Sequence, residues 1–122
     1  MYRLYDAADR LIYIGASHHL PLRMRGHELR SWFYSLVRRV DFTDYPTRED
    51  ALAAEAIAIQ EEAPVYNVMH RQGHYRFRDF ADWTADDVRI CSEWLAASPN
   101  NMVPLAVRDF LRAASVPTAV AA

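Results

Sequence analysis

Two short runs near the N-terminus constrain this chain more than anything else in it. Residues 2–5 read Tyr-Arg-Leu-Tyr and residues 11–15 read Leu-Ile-Tyr-Ile-Gly, with Asp-Ala-Ala-Asp-Arg between them. Aliphatic and aromatic residues in runs of four or five, joined by a short and mostly polar connection, predict a β-hairpin. Gly15 closes the second run, where a residue without a side chain permits a bulge or a close backbone approach. The chain has 122 residues, enough for one compact core. The hairpin must therefore find its packing partners among the helices that follow.

Those helices announce themselves by their punctuation. Residues 19–30 predict a short helix with Pro21 in its first turn and Leu22, Met24 and Leu29 as the expected buried face. Arg23 and His27, four apart, share one side of it. An aromatic cluster (Trp32, Phe33, Tyr34) leads into Val-Arg-Arg-Val-Asp-Phe at 37–42, a third strand. Thr47 is placed to cap a second helix, with Glu49 and Asp50 in its first turn and Pro64 beyond its end. Residues 65–68 read as a short extended piece. Two further helices are expected over 84–97 and 102–114. Trp83, Trp94, Leu95, Val107, Phe110 and Leu111 supply their apolar faces. The expected architecture is α+β: a small three-stranded, mainly antiparallel sheet flanked by helices, with a C-terminal helical extension. Its expected division is a sheet domain over 1–70 and an extension over 71–122, packed on the domain or forming a dimer contact.

Charge is distributed unevenly. The formal net charge is −2. Residues 1–40 nonetheless carry seven arginines against three acids, and residues 41–62 carry Arg48 against seven acids. A basic front half beside an acidic segment suits a chain with one phosphate-facing surface. Arg23, Arg25, Arg30, Arg38 and Arg39 are the candidate nucleic-acid contacts. Every basic residue apart from histidine is arginine, whose planar fork matches phosphate oxygens. Tyr75, Arg76, Phe77 and Arg78 alternate ring and cation, as a strand clamp or as an ordinary edge strand would. Residues 79–122 are acidic, with three arginines against six acids, which assigns the extension to packing rather than to phosphate.

No apolar run is long enough to span a bilayer, and no secretory leader is read at the N-terminus. Cys91 is the single cysteine, so no internal disulfide forms and a cytoplasmic setting is the expectation. His18, His19, His70 and His74 match no common zinc spacing.

The residues that carry chemistry come in a fixed order. Tyr2 and Tyr13 lie eleven apart on neighbouring strands, and Tyr13-Ile14-Gly15 spells Y-I-G. Arg23 follows Tyr13 by ten, His27 follows Arg23 by four, Glu55 lies in the second helix, and Asn67 follows a proline and a tyrosine. This ordered set, over residues 2–68, resembles the GIY-YIG nuclease family, which includes homing endonucleases, excision-repair incision nucleases and some restriction enzymes. The family's leading glycine is absent, Met1 being the residue before Tyr2. The resemblance implies a divalent-metal-dependent endonuclease acting on DNA, with RNA left open. It implies catalytic roles for Tyr2, Tyr13, Arg23, His27, Glu55 and Asn67, and one Mg²⁺ (or Mn²⁺) ion on Glu55. Arg23 is suited to fork onto the scissile phosphate. A tyrosine or His27 would handle the proton of the attacking water, the choice between them staying open. The competing expectation is a nucleic-acid-binding module with the nuclease fold and little activity. A homodimer through the C-terminal helices is the other expected partner, and no membrane is.

Overall fold

A computed structural model describes residues 1–67, 80, 82–97 and 105–115. It contains strands β1 (Tyr2–Tyr5), β2 (Leu11–Gly15) and β3 (Arg39–Phe42), and helices α1 (Leu20–Arg30), α2 (Arg48–Glu62), α3 (Ala85–Ala97) and α4 (Leu105–Ser115). A single 3-10 turn at Tyr34–Leu36 leads into β3. The sheet is antiparallel with order β2-β1-β3, so the first strand is central. The α+β expectation holds in full.

The hairpin turn has a local cause. The Asp6 carboxylate accepts from the backbone N–H groups of Ala8 (3.0 Å) and Arg10 (2.9 Å), a side-chain mimic of a backbone turn. Asp9 takes a left-handed φ of 60°, a conformation aspartate tolerates better than most residues. A register shift between Leu4 and Tyr5 absorbs the odd residue. α1 is capped by the His19 ring, whose Nδ1 accepts from the Leu22 N–H at 3.1 Å. α2 is capped by Thr47, whose hydroxyl accepts from the Asp50 N–H at 3.1 Å. α2 ends where Ala63 turns left-handed, directly before Pro64.

Register settles the two faces of the sheet. Tyr2 stands opposite Gly15 and Phe42, and Leu4 opposite Tyr13 and Val40. Tyr2 and Leu4 are fully buried on the face that meets the aromatic cluster. Arg3 projects from the other face and pairs with Glu62 at the end of α2, at 2.9 and 2.6 Å. Ile14, Met1 and Ala58 form a small second cluster between the sheet and α2.

Two expectations are corrected. Leu22 and Leu29 are 65% and 70% exposed. The face that α1 buries is instead Leu20, Met24 and His27. His27 gains partners inside, which lets a polar side chain displace leucines from the core side. Residues 65 and 66 form a turn rather than an extended piece. Even so, the N–H groups of Val65 and Tyr66 donate to the carbonyls of Leu11 (3.2 Å) and Ile12 (2.8 Å), beside β2. The alternating segment at 75–78 lies outside the described residues.

The main core crosses the whole described chain. Tyr2, Leu4, Ile12, Trp32, Phe33, Val65 and Tyr66 share one buried cluster with Cys91, Val107 and Leu111 from α3 and α4. Phe80 and Phe110 stack at 4.0 Å, and Trp83 packs edge-on to Tyr66 at 5.4 Å. Among the described residues no helix is long and apolar enough to cross a membrane.

Candidate active site

The ends of β2 and β3 and the facing sides of α1 and α2 enclose a cleft of about 810 Å³. Tyr13, Gly15, Arg23, Glu55 and Asn67 line it, together with His18, Asp44, Arg48 and others. Sequence order therefore brings four of the six expected catalytic residues to one surface. Tyr2 and His27 do not line it: both are buried, Tyr2 hydrogen-bonded to Arg23 and His27 to Tyr2.

Tyr2 is fully buried. Its hydroxyl accepts from Arg23 Nε at 3.1 Å and meets His27 Nε2 at 2.6 Å. The other ring nitrogen of His27, Nδ1, lies 2.6 Å from the Ser31 hydroxyl. A buried phenol needs a partner for its one proton. With Arg23 a pure donor, His27 Nε2 is placed to accept that proton, in the tautomer whose Nδ1 donates to Ser31. This tautomer follows from donor and acceptor bookkeeping. Burial above all, and then Tyr13, push the Tyr2 phenol well above the ordinary tyrosine range, although Arg23 pulls it back. Tyr2 thus stays a neutral phenol at any working pH. Burial works against the Arg23 charge, but the Tyr2 and Tyr13 phenols outweigh it and hold the guanidinium above its usual value.

The glycine of Tyr13-Ile14-Gly15 has a packing reason. A Cβ on Gly15 would run into the phenol carbon and hydroxyl of Tyr2. Gly15→Ala is therefore expected to push Tyr2 off its two hydrogen bonds. It should cost about 1–3 kcal/mol of stability, the usual price of overpacking. A denaturant midpoint equal to that of the wild type would show that the phenol can step aside.

Asn67 is fully engaged with the same strand. Its side-chain oxygen accepts from the Ile14 N–H at 2.8 Å, and its amide nitrogen donates to the Ile14 carbonyl at 3.0 Å. It thereby completes a strand-like pair with the residue between Tyr13 and Gly15. Tyr13 packs edge-on to His27 at 5.1 Å and tilted on Phe33 at 5.1 Å.

Of the five arginines expected at nucleic acid, only Arg23 lines the cleft. Arg25 and Arg30 are exposed on α1. Arg38 donates to the carbonyls of Ser35 and Val37. Arg39 pairs with Asp9 and Asp41 and lies over the Tyr5 ring at 3.9 Å. Arg48, which the sequence reading did not single out, does line the cleft. Its place directly after the Thr47 cap, at the open end of α2, was a usable signal. Among the described residues no three His, Cys, Asp or Glu side chains come together as a metal cage.

Fold and site together define a small α+β domain whose cleft gathers Tyr13, Arg23, Arg48 and Glu55, with a buried tyrosine–histidine pair bonded to Arg23 through Tyr2. The chain is similar to the UvrABC system protein C of Trichormus variabilis and to that of a Nostoc species, at 31% identity over 98 residues in each case. The match covers 74% of this chain and 16% of each relative, so the chain spans about a sixth of the length of these curated relatives. No family model matches the chain, and no solved structure matches it.

Proposed function

We propose that this chain is a GIY-YIG-type endonuclease that hydrolyses phosphodiester bonds in DNA with one divalent metal ion. The observation that carries this reading is the cleft itself: Tyr13, Arg23 and Glu55, drawn from a strand and two helices, line one surface. The likeness to the C component of the UvrABC system supports DNA as the substrate.

The donor set fits a hard cation such as Mg²⁺ or Mn²⁺. Glu55 offers one carboxylate within the cleft and Asp44 lines the same wall. Mg²⁺ commonly takes one or two carboxylates, keeps several waters and shares the phosphate oxygens of the substrate. When bound, such an ion supplies charge neutralisation at the phosphate and makes water more acidic. The remaining work falls to the chain's own side chains. Arg23 is held by hydrogen bonds to the Tyr2 and Tyr13 side chains, and its guanidinium, lining the cleft, grips the scissile phosphate. Of Tyr2, Tyr13 and His27, the three residues expected to handle the proton, Tyr13 alone lines the cleft, so it orients the attacking water. Tyr2 and His27, buried and hydrogen-bonded, hold Arg23 and the base of the cleft in place.

The test is incubation of the purified chain with single-stranded, double-stranded and branched DNA, with Mg²⁺, Mn²⁺ or EDTA. Metal-dependent internal cleavage that EDTA abolishes is expected. Tight binding without cleavage in any metal would overturn the enzyme reading in favour of a binding module.

A further inference from the structure

Asp87 is 2% exposed, in the first turn of α3, and no step proposed above uses it. Part of its environment is local. The Thr84 N–H donates to Asp87 Oδ2 at 2.8 Å and the Asp87 N–H donates to the Thr84 hydroxyl at 3.2 Å, a reciprocal helix cap. The rest comes from far away in sequence. Arg10, on the hairpin, donates through Nη1 to Oδ2 and through Nη2 to Oδ1, both at 2.9 Å. The Tyr66 hydroxyl donates to Oδ1 at 2.5 Å. Arg10 Nη2 also donates to the Tyr66 hydroxyl at 3.0 Å, and its Nε to Asp6 at 3.0 Å. Each carboxylate oxygen of Asp87 thus accepts two hydrogen bonds, and Tyr66 is gripped from two sides.

What Tyr66 holds in turn is the catalytic strand. Its backbone N–H donates to the Ile12 carbonyl at 2.8 Å, and the next residue, Asn67, brackets Ile14 through both amide atoms. Tyr13 sits between these two anchor points. A helix cap requires only Thr84. A buried ion pair is a poor source of net stability, because desolvating both charges offsets most of their attraction, but it fixes geometry.

We propose that Asp87 is a positioning residue for the cleft, acting through Tyr66 and Asn67 on the backbone either side of Tyr13. The C-terminal helices are then part of the catalytic scaffold. This rests on the nuclease reading of the cleft, and the experiment separates the two.

Asp87→Asn keeps the shape and removes the charge. Tyr66→Phe keeps the ring against Trp32, Phe33 and Trp83 and removes only the hydroxyl. With DNA and Mg²⁺, kcat is expected to fall about tenfold in Asp87→Asn and in Tyr66→Phe alike, the scale of one lost hydrogen bond to a charged group. KM should stay within about twofold, since binding energy is untouched. In an Asn67→Ala background, Asp87→Asn should cost less than about twofold more, because residues that act through one another are not additive. Hydrogen exchange at the Ile14 amide, measured without substrate, should speed up in both variants. Independent losses that multiply in the double variant, or an Ile14 amide as protected as in the wild type, would overturn the proposal. If the wild type cleaves no DNA, the nuclease reading fails, and Ile14 exchange still decides whether Asp87 controls the strand. If Asp87→Asn does not fold, Tyr66→Phe carries the same readouts.

Discussion

Glu55→Gln is expected to reduce DNA cleavage by about 100-fold or more while leaving the fold intact. Glutamine keeps the size of the side chain and is as good a helix former as glutamate, so α2 should persist. Glu55 is part-buried in the middle of α2, away from either cap. The substitution removes the negative charge on which a hard cation depends. Losing one preorganised electrostatic partner at a reacting phosphate is worth roughly 10²–10³ in rate. Cleavage rate and thermal melting should be measured on the same sample. A cooperatively folded Glu55→Gln chain that cuts DNA at the wild-type rate would remove Glu55 from the site and leave Asp44 as the carboxylate to test.

A chain ending at Asp79 is expected to lose its cooperative unfolding transition altogether. The main buried cluster takes Cys91, Val107 and Leu111 from the helices that would be missing, and Trp83, Trp94 and Phe110 pack against it. Burying a large apolar side chain contributes about 1.5–3 kcal/mol, and a whole domain is stable by about 5–15 kcal/mol. Removing half a dozen such side chains, and stripping Arg10 of its buried carboxylate, exceeds what the rest can supply. Loss of near-ultraviolet circular dichroism and of a sharp thermal transition would be the signature. A truncated chain that melts cooperatively with native near-ultraviolet signal would show that residues 1–67 form a self-sufficient core.

The elements fixed by local chemistry were legible in the residues alone. The hairpin was written in its two apolar runs, α2 in the Thr47 cap and the acids behind it, and the cleft in the order Tyr13, Arg23, Glu55 and Asn67. The failures share a physical cause, which is long-range polar pairing. Leu22 and Leu29 looked like the buried face of α1 because apolar residues usually are. The position went to His27 because Tyr2, twenty-five residues earlier, offers its hydroxyl at 2.6 Å. Asp87 sits in the first turn of α3, where an acid needs no partner beyond the helix N-terminus. Its arginine lies 77 residues away, in a hairpin turn, and no local pattern announces such a pair. The turn at 65–66 was mistaken for an extended piece because Val-Tyr reads as strand, although its N–H groups do line up beside β2.

The indoles of Trp32 and Trp83 pack tilted against each other at 5.2 Å, one from the loop after α1 and one two residues before α3, with the Trp83 indole N–H donating to the Val65 carbonyl at 3.0 Å. Two chromophores this close exchange excitation, and an indole buried against aromatic rings emits at shorter wavelength than one in water. The seam between the hairpin half and the C-terminal helices therefore carries its own optical label. Separation at that seam would move emission to the red and erase the paired dichroic band, whether or not any helix melted. Docking of the two halves can be followed by tryptophan emission in the unlabelled chain.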